Sequence, residues 1–298
     1  MSKPVDPAPD QFFNAQIVAA FGRQYLARLA NGDEISCLTR GKKSEVVCGD
    51  VVEIQLTGVA QAVIERIVPR RSLLHRSDAF REKLIAANVT QIIIVVASEP
   101  SISDELVSRC LVAAYDQKIE VLIVLNKCDL LAATGEARKR LTAYSAIGYR
   151  VLELSAQQDV SPLRPYLHGH TSVLVGQSGM GKSTLINALL PDAHAATREI
   201  STALDSGKHT TTHARLYRID DSSALIDCPG VQAFGLHHLS FGGIEQGFVE
   251  FAQYLGQCRF RDCRHVHEPG CALHNAVAEG KINARRLALF LQIAANKA

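Results

Sequence analysis

The sequence predicts a chain of three parts: a small all-β unit, a larger α/β unit and a short helical unit that holds a metal ion. Short runs of alternating apolar and polar residues, separated by turn residues, occupy 15–70. From about residue 88, continuous apolar runs alternate with amphipathic helical stretches. Near the C-terminus, three cysteines and a histidine lie within fourteen residues. These three sequence patterns predict a multidomain protein.

Composition limits the class of protein. The 298 residues are 47% hydrophobic and 21% charged, which is typical of a globular chain with several domains. The chain contains no apolar run of roughly 20 residues, and its start, MSKPVDPAPD, lacks the apolar core of a signal peptide. We therefore expect a cytoplasmic protein with no membrane partner and a disordered tail over 1–12. A net charge of +2 means that any contact with nucleic acid must use local basic patches.

The first unit is predicted over 13–72. Its runs QIVAAFG, QYLARLA, EISCLTR, DVVEIQL and AVIERIV predict the strands of a small barrel or sandwich. RGKK at 40–43 and PRR at 69–71 form basic patches. The basic stretch that follows predicts a linker over 73–87.

The second unit is predicted over 88–235. The apolar runs QIIIVVAS, EVLIVL, RVLELS and SVLVG predict buried strands, and they are separated by helices expected at 104–117 and at about 135–146. Continuous apolar strands between helices indicate a parallel sheet that is covered on both faces.

A phosphate-binding loop is predicted at 176–183. GQSGMGKS satisfies the pattern GxxxxGK[ST], follows the strand SVLV and opens the helix STLINALL. Its backbone N–H groups would cradle phosphates, Lys182 would reach the β and γ phosphates, and Ser183 would ligate Mg²⁺. The alternative is a glycine-rich turn with an exposed lysine. The residues assigned to phosphate binding are Gly176, Gln177, Ser178, Gly179, Met180, Gly181, Lys182, Ser183 and Thr184.

The tetrapeptide NKCD at 126–129 predicts that the nucleotide is GTP. The Asp129 carboxylate would accept hydrogen bonds from the guanine N1–H and amine, a pair that adenine does not offer. Asn126 would hold the loop and contact N7, and the Lys127 stem would cover the ring. Asp129→Asn distinguishes this interpretation from an ATPase, because only a guanine reader would shift towards xanthine nucleotides.

Three further elements complete the predicted GTP site. Ser155 and Ala156, at another strand end, would supply the backbone N–H for guanine O6. DCPG at 227–230 follows the run SALID, so Asp227 would hold Mg²⁺ through water and the Gly230 amide would sense the γ-phosphate. In the loop GKHTTTH at 207–213, Thr211 is predicted to ligate Mg²⁺, with Thr210 and Thr212 left open, and a simple solvated loop is the alternative.

The order of these elements is rotated, because the guanine reader precedes the phosphate loop. Each element stands at a strand end, so a circular permutation leaves the sheet and the site intact when the old termini lie close together. It also places the DCPG element directly before the C-terminal unit. A change at the γ-phosphate can therefore be transmitted to that unit.

The order, together with GKHTTTH, DCPG and the Cys/His cluster, resembles the ribosome small-subunit-dependent GTPase A family of circularly permuted bacterial GTPases. The similarity covers nearly the whole chain. It implies an OB-fold for the first unit, a zinc-bearing helical lobe for the last, and a role late in maturation of the small ribosomal subunit. The family's usual GRHTTT is GKHTTT here, and Val51 stands where an aromatic residue often follows the barrel's GD, so base stacking there is not assumed.

Hydrolysis requires a group that orients the attacking water. Many small GTPases carry a glutamine after the DxxG glycine, but this chain has Val231, and Gln232 is displaced by one residue. By resemblance, His209 is the candidate, and ordering the loop or contacting RNA are its alternative roles. The predicted catalytic residues are His209, Lys182 and Gly230.

The third unit, 236–298, contains the predicted metal site. Cys258, Cys263, His265 and Cys271 offer three thiolates and an imidazole, the Cys₃His complement of a structural zinc site. His267 competes for the imidazole position, and the family pattern favours His265. Unliganded reduced cysteines are the alternative. The neighbouring arginines suited to a phosphate backbone are Arg259, Arg261 and Arg264.

The predicted function is that of a GTPase, acting as a monomer with Zn²⁺ and Mg²⁺. It would bind the small (30S) ribosomal subunit and its 16S rRNA, and it would hydrolyse GTP to GDP with stimulation by the ribosome to assist late maturation. The alternative is a nucleotide-gated RNA-binding module in which hydrolysis is incidental. A barrel that binds only protein is also left open.

Overall fold

The computed structural model describes residues 12–41, 45–58, 60–78, 81–191, 214–228 and 234–296. Within these ranges no helix combines the length and the apolar character needed to cross a bilayer. Three predicted segments lie outside the described residues: the first eleven residues of the tail, the loop 207–213 and the stretch 229–233. The predicted domain boundaries stay predictions.

Five strands form a closed barrel at the N-terminus. Around the barrel the order is β1-β2-β3-β5-β4, and β1 pairs with β4 to close it. β3 and β5 are parallel, and the other neighbours are antiparallel, which is the strand order of an OB-fold. The strands are β1 Phe12–Phe21, β2 Gln24–Leu29, β3 Glu34–Thr39, β4 Val51–Gly58 and β5 Gln61–Ile67.

Alternation along these strands explains the barrel's core. In β3 the buried residues Ile35 and Cys37 alternate with exposed Glu34 and Ser36, as expected when successive side chains point to opposite faces. The interior is filled by small and branched side chains, among them Ala15, Ile17, Ala27, Val52, Ile54, Ala62 and Ile64.

The segment predicted as a linker, 73–87, contains a hairpin of β6 (Leu73–Asp78) and β7 (Arg81–Ala87). Its charged centre suggested a linker, but both ends are apolar, and Leu74, Ile85 and Ala86 are buried. A bridge between Cys48 and Ala86 attaches the hairpin to the barrel.

The central unit is a parallel sheet with one antiparallel strand. Its order is β10-β9-β8-β11-β13-β12, and only β12 runs antiparallel to its neighbours. β12 also pairs with β1 at Ala19 and Arg215, which joins the barrel to this sheet. The strands are β8 Gln91–Ala97, β9 Glu120–Asn126, β10 Arg150–Glu153, β11 Thr171–Val175, β12 Arg215–Arg218 and β13 Ala224–Asp227.

Helices cover both faces of this sheet. All seven residues of β8 are buried, because separate apolar clusters pack on its two faces. The helices described in this unit are α1 Asp104–Asp116, α2 Leu131–Ala146, α3 Arg164–Leu167 and α4 Lys182–Leu189.

The C-terminal unit is a small helical lobe that packs on α1. Phe248, Phe251 and Phe290 are fully buried, and Phe290 meets the other two rings edge to face, with ring centroids 5.5 and 5.6 Å apart. These rings belong to the same apolar cluster as α1 and one face of the central sheet. The lobe's helices are α5 Phe241–Gln246, α6 Ala272–Ala278 and α7 Ala284–Ala295.

Candidate functional site

The predicted motifs meet at one edge of the central sheet. Because β8, β9, β11 and β13 are parallel and β11 lies between β8 and β13, their carboxyl ends lie side by side. The NKCD loop follows β9, the phosphate loop follows β11, and Asp227 ends β13. This edge is where ligands bind in open α/β sheets.

Asn126 connects three of these motifs. Its side-chain Nδ2 donates to the carbonyl oxygen of Met180 at 2.9 Å, and its Oδ1 accepts from the backbone N–H of Ala156 at 2.9 Å. The residue is only 2% exposed. A single buried amide therefore holds together the guanine reader, the phosphate loop and the predicted second base contact.

The rest of the NKCD loop is held by its neighbours. Lys127 has a positive φ of 62°, and its Nζ donates to the carbonyl oxygen of Glu99 at 2.8 Å. The Cys128 N–H donates to the carbonyl oxygen of Leu154 at 3.2 Å. Asp129 is half-buried at the end of this loop. The loop is thus fixed to the strand ends on both sides of it.

Two glycines of the phosphate loop allow close backbone approach. A Cβ on Gly176 would lie 2.2 Å from the carbonyl oxygen of Val95, and a Cβ on Gly181 would lie 2.3 Å from Nδ2 of Asn126. Gly181 also has φ +88°, a conformation that other residues rarely adopt. The pattern GxxxxGK therefore has a packing reason as well as a phosphate-binding one.

The side chain of Lys182 folds back onto the phosphate loop and contacts its backbone. Its Nζ donates to the carbonyl oxygens of Gly176 at 2.6 Å and Gln177 at 2.9 Å. Burial lowers the pKa of Lys182, and the nearby Asp227 carboxylate raises it. Ser183 and Thr184 are exposed in the first turn of α4. The ammonium, the Ser183 hydroxyl and the Asp227 carboxylate thus lie at one strand edge, a donor set suited to phosphate and Mg²⁺.

Three buried polar atoms at this edge have no hydrogen-bond partner among the described residues. They are Oγ of Ser98, which follows β8, Oγ of Ser155 and Oε1 of Gln177. Ser155 belongs to the predicted base contact and Gln177 to the phosphate loop. Unsatisfied buried polar groups are uncommon in folded proteins, and a ligand is one way to satisfy them. The predicted residues His209, Thr211 and Gly230 lie outside the described residues.

The predicted zinc ligands converge in the lobe. One ligand atom from each of the four residues lies within 4.8 Å of all the others. His265 Nδ1 is 3.2 Å from Cys271 Sγ and 3.6 Å from both Cys258 Sγ and Cys263 Sγ. A tetrahedron with Zn–S of about 2.3 Å and Zn–N of about 2.0 Å has edges of roughly 3.5–3.8 Å. The four side chains therefore fit a zinc ion.

His265, and not His267, points into this cluster. His265 is 5% exposed, and its Nε2 lies 2.5 Å from Oε1 of Glu245, which leaves Nδ1 for the metal. His267 is exposed and belongs to the turn around Glu268. The pattern of cysteines could not reveal Glu245, because it lies on α5, 20 residues before His265.

Glu268 is a second contributor that the sequence did not indicate. Its carboxylate accepts hydrogen bonds from the backbone N–H groups of Arg264 at 2.7 Å, Val266 at 2.8 Å and His267 at 3.0 Å. These bonds, with that from Arg264 the strongest, lower the pKa of Glu268 to about 2. The turn that carries His265 is thus folded around a carboxylate.

In the predicted basic patches of the barrel, two arginines form ion pairs with carboxylates of the protein itself. Arg70 donates to both carboxylate oxygens of the fully buried Asp50, at 2.7 and 2.8 Å. Arg40 forms an ion pair with Glu65. In the lobe, the Arg264 guanidinium stacks 4.6 Å from the ring centroid of Phe241. Lys42 and Lys43 lie outside the described residues.

Comparison with known proteins agrees with this architecture. A family model described as RsgA GTPase matches residues 67–237. The small ribosomal subunit biogenesis GTPase RsgA of Nitrosospira multiformis is 57% identical over 281 residues, covering 94% of this chain and 90% of that protein. The protein of the same name from Nitrosomonas europaea is 53% identical, covering 92% and 88%.

Solved structures show the same fold. The crystal structure of YjeQ from Thermotoga maritima matches with a TM-score of 0.75 and 27% identity, over 96% of this chain and 99% of that chain. YloQ, described as a circularly permuted GTPase, matches with a TM-score of 0.71 and 24% identity, over 97% and 96%. The predicted fold class and circular permutation are confirmed, and the chain belongs to the RsgA GTPase family.

Proposed function

We propose that this GTPase binds the small ribosomal subunit through its 16S rRNA and hydrolyses GTP to assist late maturation, with the subunit stimulating hydrolysis. The observation that carries the proposal is the position of Asn126, which donates to the Met180 carbonyl and accepts from the Ala156 N–H. This link between the NKCD loop and the phosphate loop supports a site for a guanine nucleotide. Relatives at 57% and 53% identity carry the name small ribosomal subunit biogenesis GTPase, which supports the partner. The cytoplasmic location and monomeric state stay predictions.

We assign base recognition to Asp129. Its carboxylate would accept from the two guanine donors, while Lys127 covers the ring. The Ser155 N–H would donate to guanine O6, and the Ala156 N–H would donate to O6 in place of Asn126 Oδ1, its acceptor in this structure. Asn126 would hold the loop through the hydrogen bond that its Nδ2 donates to the Met180 carbonyl, and its second Nδ2–H would contact guanine N7. Adenine would leave Asp129 facing an unmatched edge, which is costly in a half-buried position.

We assign phosphate binding and catalysis to the loop 176–184. Lys182 would exchange its two carbonyl partners for β- and γ-phosphate oxygens, which offer full negative charge. Ser183, Thr211 and Asp227 would hold Mg²⁺, which neutralises phosphate charge when bound. The amide of Gly230 would contact the γ-phosphate. His209 would orient the attacking water, since Val231 has no polar group for this task.

We assign a structural zinc ion to Cys258, Cys263, His265 and Cys271. Four protein ligands leave no position for a substrate, so the ion would stabilise the lobe and take no part in hydrolysis. Glu245 would fix the imidazole, and Glu268 would hold the surrounding turn. The barrel and this lobe would dock on the subunit.

The deciding experiment compares GTP turnover by the full chain with and without purified small ribosomal subunits. Strong stimulation by small subunits, absent with large subunits, is expected. Equal turnover in all three samples would contradict the proposal and would favour a nucleotide-gated RNA-binding module. That alternative is not favoured by membership in a family of GTPases.

A further inference from the structure

A cleft of about 200 Å³ lies between α2 of the central unit and α7 of the lobe. It opens to solvent and lies outside the nucleotide edge and the metal cluster. Its lining includes Lys139, Arg140, Asn283, Arg285 and, at its base, Asp104. Because one wall comes from each unit, a ligand in this cleft would contact both.

The charge of the cleft is positive. Asp104 is 7% exposed and accepts from Arg140 at 2.9 Å, from Tyr144 at 3.1 Å and from Arg285. Its carboxylate is therefore saturated by groups already present. Lys139, Arg140 and Arg285 carry three positive charges beside this one carboxylate, which leaves an excess of two positive charges at the mouth of the cleft.

The fourth basic residue of the lining, Arg286, does not add to this excess. Its Nε donates to the Glu250 carboxylate at 2.6 Å and its Nη1 to Ser108 Oγ at 2.8 Å, and both charged side chains are buried. Arg286 thus anchors α7 on α1. The positive field at the mouth comes from side chains that retain free donors.

Two basic side chains of the cleft, Arg285 and Lys139, can donate hydrogen bonds to a ligand. The Arg285 side chain is 65% exposed, and its guanidinium forms an ion pair with Asp104. Lys139 is exposed, and its Nζ has no hydrogen-bond or ion-pair partner in the part of the chain that the structure describes. The positive end of α7, which begins after Asn283, adds to the same field.

We propose that this cleft binds the phosphodiester backbone of ribosomal RNA, with Lys139, Arg140 and Arg285 as the contacting residues. Guanidinium groups match phosphate oxygens in a bidentate manner. The apolar lining consists of partly buried Ala143 and buried Leu289, so the cleft lacks the exposed aromatic or aliphatic anchor that a protein partner would need. The choice of RNA as the anion rests on the proposed function.

The test measures binding of the full chain to rRNA extracted from small subunits, between 50 and 200 mM salt. Each lost phosphate contact reduces the slope of log affinity against log salt by about 0.7–0.9. We expect Lys139→Ala to reduce the slope by about one contact, and Lys139→Ala with Arg285→Ala by about two. Affinity near 150 mM salt should fall roughly tenfold in the double variant.

Lys281→Ala is the matched control, because this exposed lysine lies on the same lobe and its charge is paired with Glu279 at 2.6 Å. It should leave the slope unchanged. The single variant Lys139→Ala also shows whether the effect comes from a disturbed fold, because Lys139 has no partner among the described residues that the substitution would remove. Its GTP turnover without subunits should equal that of the unaltered chain.

An unchanged slope in the Lys139 and double variants would overturn the proposal. So would a loss of binding to intact subunits while binding to extracted rRNA is unaffected, because an acidic protein would then be the partner. A lack of stimulation by small subunits in the unaltered chain would remove the proposed function, while a reduced slope on rRNA in the same series would still support the cleft.

Discussion

The side-chain amide of Asn126 donates to the carbonyl oxygen of Met180 at 2.9 Å, although 54 residues separate the two along the chain. In the usual order of GTPase motifs the phosphate loop comes first, and here it comes second. The hydrogen bond depends on neighbouring strand ends and not on chain order. A permuted chain can therefore form the same hydrogen bond between the NKCD loop and the phosphate loop.

Asn126→Ala should weaken nucleotide binding without unfolding the protein. It leaves the Ala156 N–H and the Met180 carbonyl without their partner, at a cost of about 1–3 kcal/mol for each buried group. We expect GDP affinity to fall by roughly ten- to hundredfold. Asn126→Asp should be worse, because it keeps the acceptor for Ala156 but places a carboxylate against the Met180 carbonyl. Titration with fluorescent GDP measures both variants.

The control for this pair is Asn31→Ala, which removes an exposed side-chain hydrogen bond to Asp33 in the barrel. It should bind GDP like the unaltered chain. An unchanged GDP affinity in Asn126→Ala would show that the hydrogen bonds of the Asn126 side chain are not needed for nucleotide binding.

Gly181→Ala should abolish tight nucleotide binding. The new Cβ would lie 2.3 Å from Nδ2 of Asn126, so either the loop or the Asn126 amide must move. Gly148→Ala is the matched control, because Gly148 has a similar φ of +95° with nothing within 4 Å of a Cβ. The control carries the backbone strain of about 1 kcal/mol without the clash. Equal GDP affinity in the two variants would mean that the clash is relieved at no cost to the site.

Asp129→Asn should change the nucleotide preference from guanine towards xanthine. Xanthine carries a carbonyl where guanine carries its amine, and an asparagine amide can donate to that carbonyl. Turnover with GTP should fall strongly and turnover with XTP should rise. Asp221→Asn, at a fully exposed turn position, serves as the control. A loss of activity with both nucleotides would argue against a base-reading role.

His265 and His267 should differ sharply in zinc retention. Only His265 places an imidazole nitrogen among the three thiols, so His265→Ala should lose the ion while His267→Ala keeps one ion per chain. Glu245→Gln should weaken zinc binding by about ten- to hundredfold, because it loosens the orientation of the imidazole. Elemental analysis after dialysis against a competing chelator reads out all three. Zinc loss from His267→Ala would reverse the assignment.

The sequence predicted the buried strands of the central sheet and where they end, because these depend on local pattern. It missed features that arise from contacts between distant segments. α2 begins at Leu131, four residues before the start of the expected helix. The sequence did not indicate this start because the N-cap residue, Leu130, forms no side-chain capping hydrogen bond. The hairpin at 73–87 and the role of Glu245 depend on packing against other elements. The Arg70 side chain, counted as a basic patch, is held by buried Asp50.

Arg286→Ala should release the C-terminal helix α7 from the central unit. It would leave the buried Glu250 carboxylate unpaired, at a cost of about 3–5 kcal/mol, and would remove the hydrogen bond to Ser108. Hydrogen exchange of the α7 amides should accelerate, while exchange in the barrel stays unchanged. Arg286→Met combined with Glu250→Gln removes both charges and should restore most of the protection. Equal acceleration in the single and double variants would show that the contact of the Arg286 guanidinium with the Phe248 ring, 4.4 Å from its centroid, and not charge pairing with Glu250, holds the lobe in place.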